Sequence, residues 1–319
     1  GQLQFIQSTN SDHGGDDIIE LKDGTNTVVA GDGQDAVTIG AGTNIVLGDE
    51  GSLEVNSDGT TTIQTINGSV GATDTINVGE GYNVAIGGAA SDAITVSGTA
   101  TDSQGIVLGD NGTLTLSASG ELVSIASNDY SYGAADTIEL TSGTNTVIGG
   151  VGGDTITAGS GTNTVLGDDG EATFSSGQLQ FIQSTNSDNG GDDVIALEDG
   201  TNTVVAGDGQ DVVTIGAGTN IVLGDEGSLT VNNDATTTIE TINGSVGGED
   251  VVTLGSGFSV ILGGAFADTI RAIPELGKPE PVMVAIGDNG EVQLDTSGSL
   301  VSAGTTTPGV GGNDDIFVA

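Results

Sequence analysis

Apolar residues in this chain recur singly or in adjacent pairs, set among Gly, Thr, Asn and Asp, and no segment keeps a helical spacing. Ile19, Val28, Val37 and Val46 lie nine residues apart. Asp17, Asn26, Asp35 and Asn44 sit two residues before them, and Gly15, Gly24, Gly33 and Gly42 two residues earlier still. The same lattice returns as Asp136, Asn145, Asp154 and Asn163, and again as Asp193, Asn202, Asp211 and Asn220. Two nines make eighteen, so equivalent residues stack at every second nonapeptide. A strand of about three residues followed by a Gly-rich turn predicts a solenoid coil with two parallel sheets. Within a strand Val37 and Ile39 face inward together while Thr38 faces out. The fold class that follows is all-β, a parallel β-roll or β-solenoid with two nonapeptides per coil and interspersed hairpin-like inserts.

Longer periods enclose the short one. GQLQFIQSTNSD starts at Gly1 and again at Gly177, and only six positions differ over the first 55 residues of the two copies. Residues 1–176 are one long repeat of three short units, and 177–319 a second, incomplete one. The short units run roughly over 12–51, 69–112, 131–170, 188–227, 245–290 and 310–319. Each opens on an Asp marker (Asp17, Asp74, Asp136, Asp193, Asp250 and Asp315), and the complete ones close on GDEG, GDNG or GDDG. Between a closing marker and the next Asp, segments such as 52–66 and 113–126 read as two alternating strands around a turn. The chain opens without Met, shows no signal peptide and stops inside a repeat, which suggests a window on a longer array.

Composition narrows the chemistry. Three basic residues against 45 acidic ones give a net charge of −42, which excludes phosphate-driven nucleic-acid binding and a polybasic membrane anchor. No apolar run approaches the length of a membrane span. Without Cys and with one His, thiolate and His-based zinc sites are excluded. That His, His13, is Asn189 in the second copy, so it reads as a surface variant. No Ser sits in a nucleophile elbow, and glycine patterns such as GAGTNIVLG lack a P-loop Lys and a following helix. No catalytic constellation remains, and the chain is expected not to be an enzyme.

GGVGGDTIT at 149–157 fits G-G-x-G-x-D-x-apolar-x throughout, and AGDGQDAVT at 30–38 and AGDGQDVVT at 206–214 fit it nearly so. Over about two-thirds of its length the chain resembles the repeats-in-toxin nonapeptide family. The resemblance implies a parallel β-roll with calcium held in the Gly-Asp turns and export by a type I route. Carried over position by position, its carboxylate ligands would be Asp17 with Asp35, Asp74 with Asp92, Asp136 with Asp154, Asp193 with Asp211, and Asp250 with Asp268. The chain departs from the pattern on the opposite edge, where the sixth position is Asn within GTN, or Ser259. Asn brings no charge, so that edge is expected to be an amide ladder satisfying turn amides. Pairing is expected to break after two coils, where the Asp of each closing marker (Asp49, Asp110, Asp168, Asp225 and Asp288) would cap the metal stack.

The same metal follows from electrostatics. Stacked coils place equivalent carboxylates about 4.8 Å apart. At that separation two charges repel by roughly 1 kcal/mol in water and roughly 3.5 kcal/mol at an effective dielectric of 20. A hard divalent cation that accepts carboxylates and carbonyls in loose geometry, calcium rather than magnesium, relieves this.

The expected function is therefore a calcium-stabilised structural array of a large extracellular or cell-surface protein, an adhesin stalk, filament or surface layer, that folds after export. Its expected partners are further copies in rods or filaments, with cell-surface or glycan contact. The inserts would offer edge strands for such association. A second reading is a binding module for ice, glycan or mineral through outward Thr and Asn, such as Thr25, Thr27, Thr144 and Thr146. A third is a secretion and folding appendage of an enzyme. RAIPELGKPEPVM at 271–283 breaks the lattice with two of the three basic residues and three of the four prolines, and reads as a loop insertion or a docking site between arrays.

Overall fold

The computed structural model describes residues 3–8, 14–98, 102–185, 189–307 and 309–318; His13 lies outside them. β-branched residues between Gly turns give two kinds of strand. A four-residue strand follows each ladder Asp, as in Ala36–Ile39, and a strand of six to eight residues begins at or just before each Asn-edge position, as in Gly42–Leu47 or Gly143–Gly150. Eleven short strands form one sheet and ten long strands a second. Both are parallel and in register, so Val37 stacks on Ile76 and Ile94 on Ile138, while Asn145, Asn163, Asn202 and Asn220 align on the other sheet. The alternation expected for Ala36–Ile39 is seen: Val37 and Ile39 are buried, Ala36 and Thr38 exposed. Val28, Val37, Val46, Ile76, Ala85 and their equivalents fill the space between the two sheets.

A third sheet, built from the inserts, adds to the two expected of the roll. The inserts leave the roll after every second coil and flank it as hairpins, such as Gly112–Leu116 with Leu122–Ser127. Each hairpin pairs antiparallel with the next, so Leu114 lies between Ile63 and Ile125. Ten hairpin strands and Phe5–Gln7 make one eleven-stranded antiparallel sheet. The inserts' edges are therefore consumed by neighbouring hairpins, and the interior ones are not free for association. This sheet covers the outer face of the long strands, where Leu47, Ile86, Leu108, Ile148 and Leu166 meet Leu53, Ile63, Leu114 and Ile125 in a second core. Adjacent apolar residues such as Val46 and Leu47 serve opposite faces of one strand, as a sheet buried on both sides requires.

The cover also changes the proposed Thr and Asn face. Thr25 and Thr144 are exposed at its rim, but Thr146 is 3% exposed beneath the hairpin sheet and Asn44 fully buried. Those residues do not form an open flat array. The 271–283 segment contributes to strands Thr269–Ala272 and Val282–Asp288, and its loop folds back on the roll. Lys278 pairs with Asp199 and Glu275, and the Glu275 amide donates to Ser256 Oγ.

Leu114→Ala is expected to cost about 2–5 kcal/mol by opening a cavity between hairpin and long-strand sheets. Thr115→Ala, on the outward side of the same strand, should stay within about 0.5 kcal/mol. Urea unfolding of the two variants checks the assignment of the second core.

Candidate metal centre along the aspartate edge

The turn that enters each short strand places its Asp on one edge of the roll. The backbone N–H of each ladder Asp donates to Oδ1 of the Asp in the next coil, at 2.6–3.1 Å. The run is Asp17, Asp35, Asp74, Asp92, Asp136, Asp154, Asp193, Asp211, Asp250, Asp268 and Asp314. All ten residues expected from the nonapeptide positions are brought together. The expected break after two coils does not occur. The Asp35 amide reaches Asp74 at 2.8 Å across 39 residues, because the hairpin excursion returns the chain to the next stacking position. The final rung is Asp314, not the marker Asp315, which instead pairs with Thr269 inside the last short strand.

Oδ1 is satisfied along the ladder; Oδ2 is not. Asp35, Asp74, Asp92, Asp136, Asp154, Asp193, Asp211, Asp250 and Asp268 each bury an Oδ2 that has no hydrogen-bond partner. Each of these residues is at most 3% exposed. A buried carboxylate oxygen without a partner carries a large desolvation cost. The free oxygens face glycines that end the long strands. A Cβ placed on Gly149 would lie 2.1 Å from Asp154 Oδ2 and 2.2 Å from the Gly167 carbonyl oxygen. On Gly87 it would lie 2.3 Å from Asp92 Oδ2 and 2.2 Å from Gly109 O, and Gly263 repeats the pattern with Asp268 and Gly287. None of these three glycines has a left-handed backbone, so closeness rather than conformation demands Gly there. Sequence reasoning did not assign these strand-end glycines, although the recurring IGG and LGD endings mark them.

Burial is the largest cause of a raised pKa at every shifted ladder position. It pushes Asp74, Asp211 and Asp268 up to about 7, Asp136 to about 8, Asp193 to about 9, and Asp92 and Asp250 to about 10. Neighbouring carboxylates such as Asp136 beside Asp92 raise them further, and the single amide bond to each pulls the other way. Asp154 is raised well above the ordinary carboxylate range for the same reasons.

The closing-marker residues do fall on this edge, but with different partners. Asp49 accepts the Ala72 and Ala89 amides, Asp110 those of Ala134 and Val151, Asp168 those of Gly191 and Asp208, and Asp225 those of Gly248 and Ala265. Both oxygens of each carboxylate thus hold a backbone amide and tie three successive coils together. Burial nonetheless raises Asp49 and Asp225 to about 8 and Asp110 to about 9. Asp288 is partly buried beside the Gly311 turn.

On the opposite edge Asn26, Asn44 and Asn83 form an amide ladder, as do Asn145, Asn163, Asn202 and Asn220, each Nδ2 donating to the next Oδ1 at 2.8–2.9 Å. Nδ2 also donates to the carbonyl four residues earlier, as Asn163 does to Gly159. The ladder satisfies turn carbonyls, where turn amides had been expected. It is interrupted at Gly105 and Ser259. The turn before most long strands needs Gly: Gly161 has φ of 152°, and a Cβ there would lie 1.9 Å from Gly143 O.

Among the described residues no three His, Cys, Asp or Glu side chains converge on one point. The Asp edge offers one free carboxylate oxygen per coil with strand-end carbonyls beside it. That donor set is all oxygen, which fits a hard cation rather than a metal that prefers thiolate or imidazole. Compared with protein-family models, with curated proteins and with solved structures, the chain matches none.

The unfolded chain releases its Asp protons near pH 4, whereas the folded ladder holds them to about 7–10. Above pH 4 the folded state therefore binds more protons, and stability in chelator should fall as pH rises towards those values. In chelator the β signal and its thermal midpoint should be highest at pH 5 and decline, until no folded transition remains, towards pH 9; a flat or rising series would contradict the buried ladder. Gly149→Ala should destabilise the roll strongly by driving a methyl into Asp154 Oδ2 and Gly167 O. Gly15→Ala, with open space around it, should not. Comparing the melts of these two variants tests the close approach.

Proposed function

We propose that the chain is a calcium-stabilised structural array of a large secreted or cell-surface protein, serving as a stalk, filament or surface layer. The observation that carries this reading is the row of nine buried Asp Oδ2 atoms without partners. A hard divalent cation supplies the positive charge that such a row lacks. Asp35 to Asp268 would hold it through Oδ2, with strand-end carbonyls such as those of Gly109 and Gly167 completing the donor set. The resemblance to repeats-in-toxin nonapeptides supports the same ion. Metal binding and folding are then linked, so the chain stays extended at low calcium and closes into a rod at the millimolar calcium found outside cells.

A calcium titration followed by far-ultraviolet circular dichroism tests the reading. Cooperative gain of β signal with calcium, weaker or absent with magnesium and reversed by chelator, is expected. Asp154→Asn should move the midpoint to higher calcium. The same β signal in chelator and in calcium at pH 9 would overturn it.

A further inference from the structure

The long-strand face beneath the hairpin sheet is apolar in most coils but not at the junction of the two long repeats. The position level with Ile45 is Thr27 in the first long strand, then Ile45, Val84 and Ile106 before the junction, and Ile221 and Val260 after it. Between them, in three successive coils, it is Thr146, Thr164 and Thr203. Two residues earlier in the same strands stand Thr144, Thr162 and Thr201. Thr and Val have nearly the same shape, so packing alone gives no reason for three hydroxyls in a row under a covering sheet.

These residues floor a cavity of about 290 Å³, closed by the tip of the hairpin Gly170–Ser175 with Gln178–Ser184. Phe174 and Leu179 form its apolar wall and Gln178 stands at its rim. A second hollow of about 200 Å³ shares Thr144, Thr146 and Phe174 and extends towards Gln104 and Glu121. Thr146, Thr164 and Thr203 are 3, 5 and 9% exposed, and among the described residues none of their hydroxyls is hydrogen-bonded to protein. In a chain with 45 acidic residues, the lining of the larger cavity has no charged side chain.

We propose that this junction cavity binds a neutral saccharide unit. Strand stacking sets the Thr hydroxyls at about 4.8 Å intervals, a spacing suited to alternate hydroxyls around a pyranose ring. Each hydroxyl both donates and accepts, as do sugar hydroxyls. Phe174 offers an aromatic wall for the C–H face of the ring. The lack of charge excludes phosphorylated or cationic ligands as the favoured class, and the size excludes anything much larger than one or two sugar units. The cavity-facing hydroxyls give the specificity, because a ligand without matching groups leaves them unpaired. The site needs Thr144 to Thr164 from one long repeat and Thr201 and Thr203 from the next, so it belongs to the junction and to neither repeat alone.

The test is titration of the 319-residue chain with methyl glycosides of glucose, galactose and mannose, followed by saturation-transfer NMR. It is run in buffer where circular dichroism shows the β signal, which separates loss of the site from loss of the fold. At least one glycoside should saturate with a Kd of about 1–10 mM. The variant Thr146→Val/Thr164→Val/Thr203→Val keeps shape and removes the hydroxyls; it should bind roughly tenfold more weakly or worse with an unchanged melt. Phe174→Ala should also weaken binding. No saturation by any of the three glycosides on folded protein would overturn the proposal. So would binding that survives both variants undiminished.

Discussion

Everything in this molecule answers to the stacking of one acidic side chain per coil along a buried edge. Eleven Asp residues lie in a single file, and each ionised side chain can give only acceptors to its neighbours. The backbone N–H of the preceding rung fills one oxygen and leaves the other bare. The Asn ladder on the far edge has the same geometry with the opposite outcome. An amide donates through Nδ2 and accepts through Oδ1, so one Asn satisfies the next without outside help. A carboxylate ladder has no such closure. It must hold protons or a cation, and the folded state is tied to whichever is present.

The hairpin sheet explains how so thin a roll stays folded under that load. Two apolar residues from most short strands and one from most long strands fill the space between these sheets, and the chain has no Trp and few other aromatics to add to it. Folding the inserts over the long strands buries those strands on both faces and adds a second apolar layer. The closing-marker residues Asp49, Asp110, Asp168 and Asp225 sit where the chain leaves for each hairpin, and their bonds to amides of the two following coils hold the excursion in step. The same cover turns the three-coil Thr row from a surface pattern into a cavity floor.

Much of this was legible in the chain itself. The period of nine, with Gly, Asp or Asn and an apolar residue held two apart, was enough for an all-β roll. It also separated an Asp edge from an Asn edge and identified Val28, Val37 and Val46 as core. These readings succeed because a parallel, in-register stack makes each coil's neighbour a residue of the same lattice position, so sequence period and spatial contact coincide. Near its last unit the lattice misleads by one residue, and Asp315 is taken for the rung that Asp314 occupies.

Where the hairpins went could not be read from periodicity, since alternation alone does not say which face a strand will cover. Neither could the unbroken Asp ladder, whose contacts across 39 and 44 residues exist only because each excursion returns to the next coil. The strand-end glycines and the buried hydroxyls of Thr146, Thr164 and Thr203 were hidden for a related reason. Their roles depend on what another sheet or another coil brings within a few ångströms, and that is a property of packing. Local residue order specifies the coil and its two edges; the docking of one sheet on another specifies the second core, the continuity of the ladder and the cavity at the repeat junction.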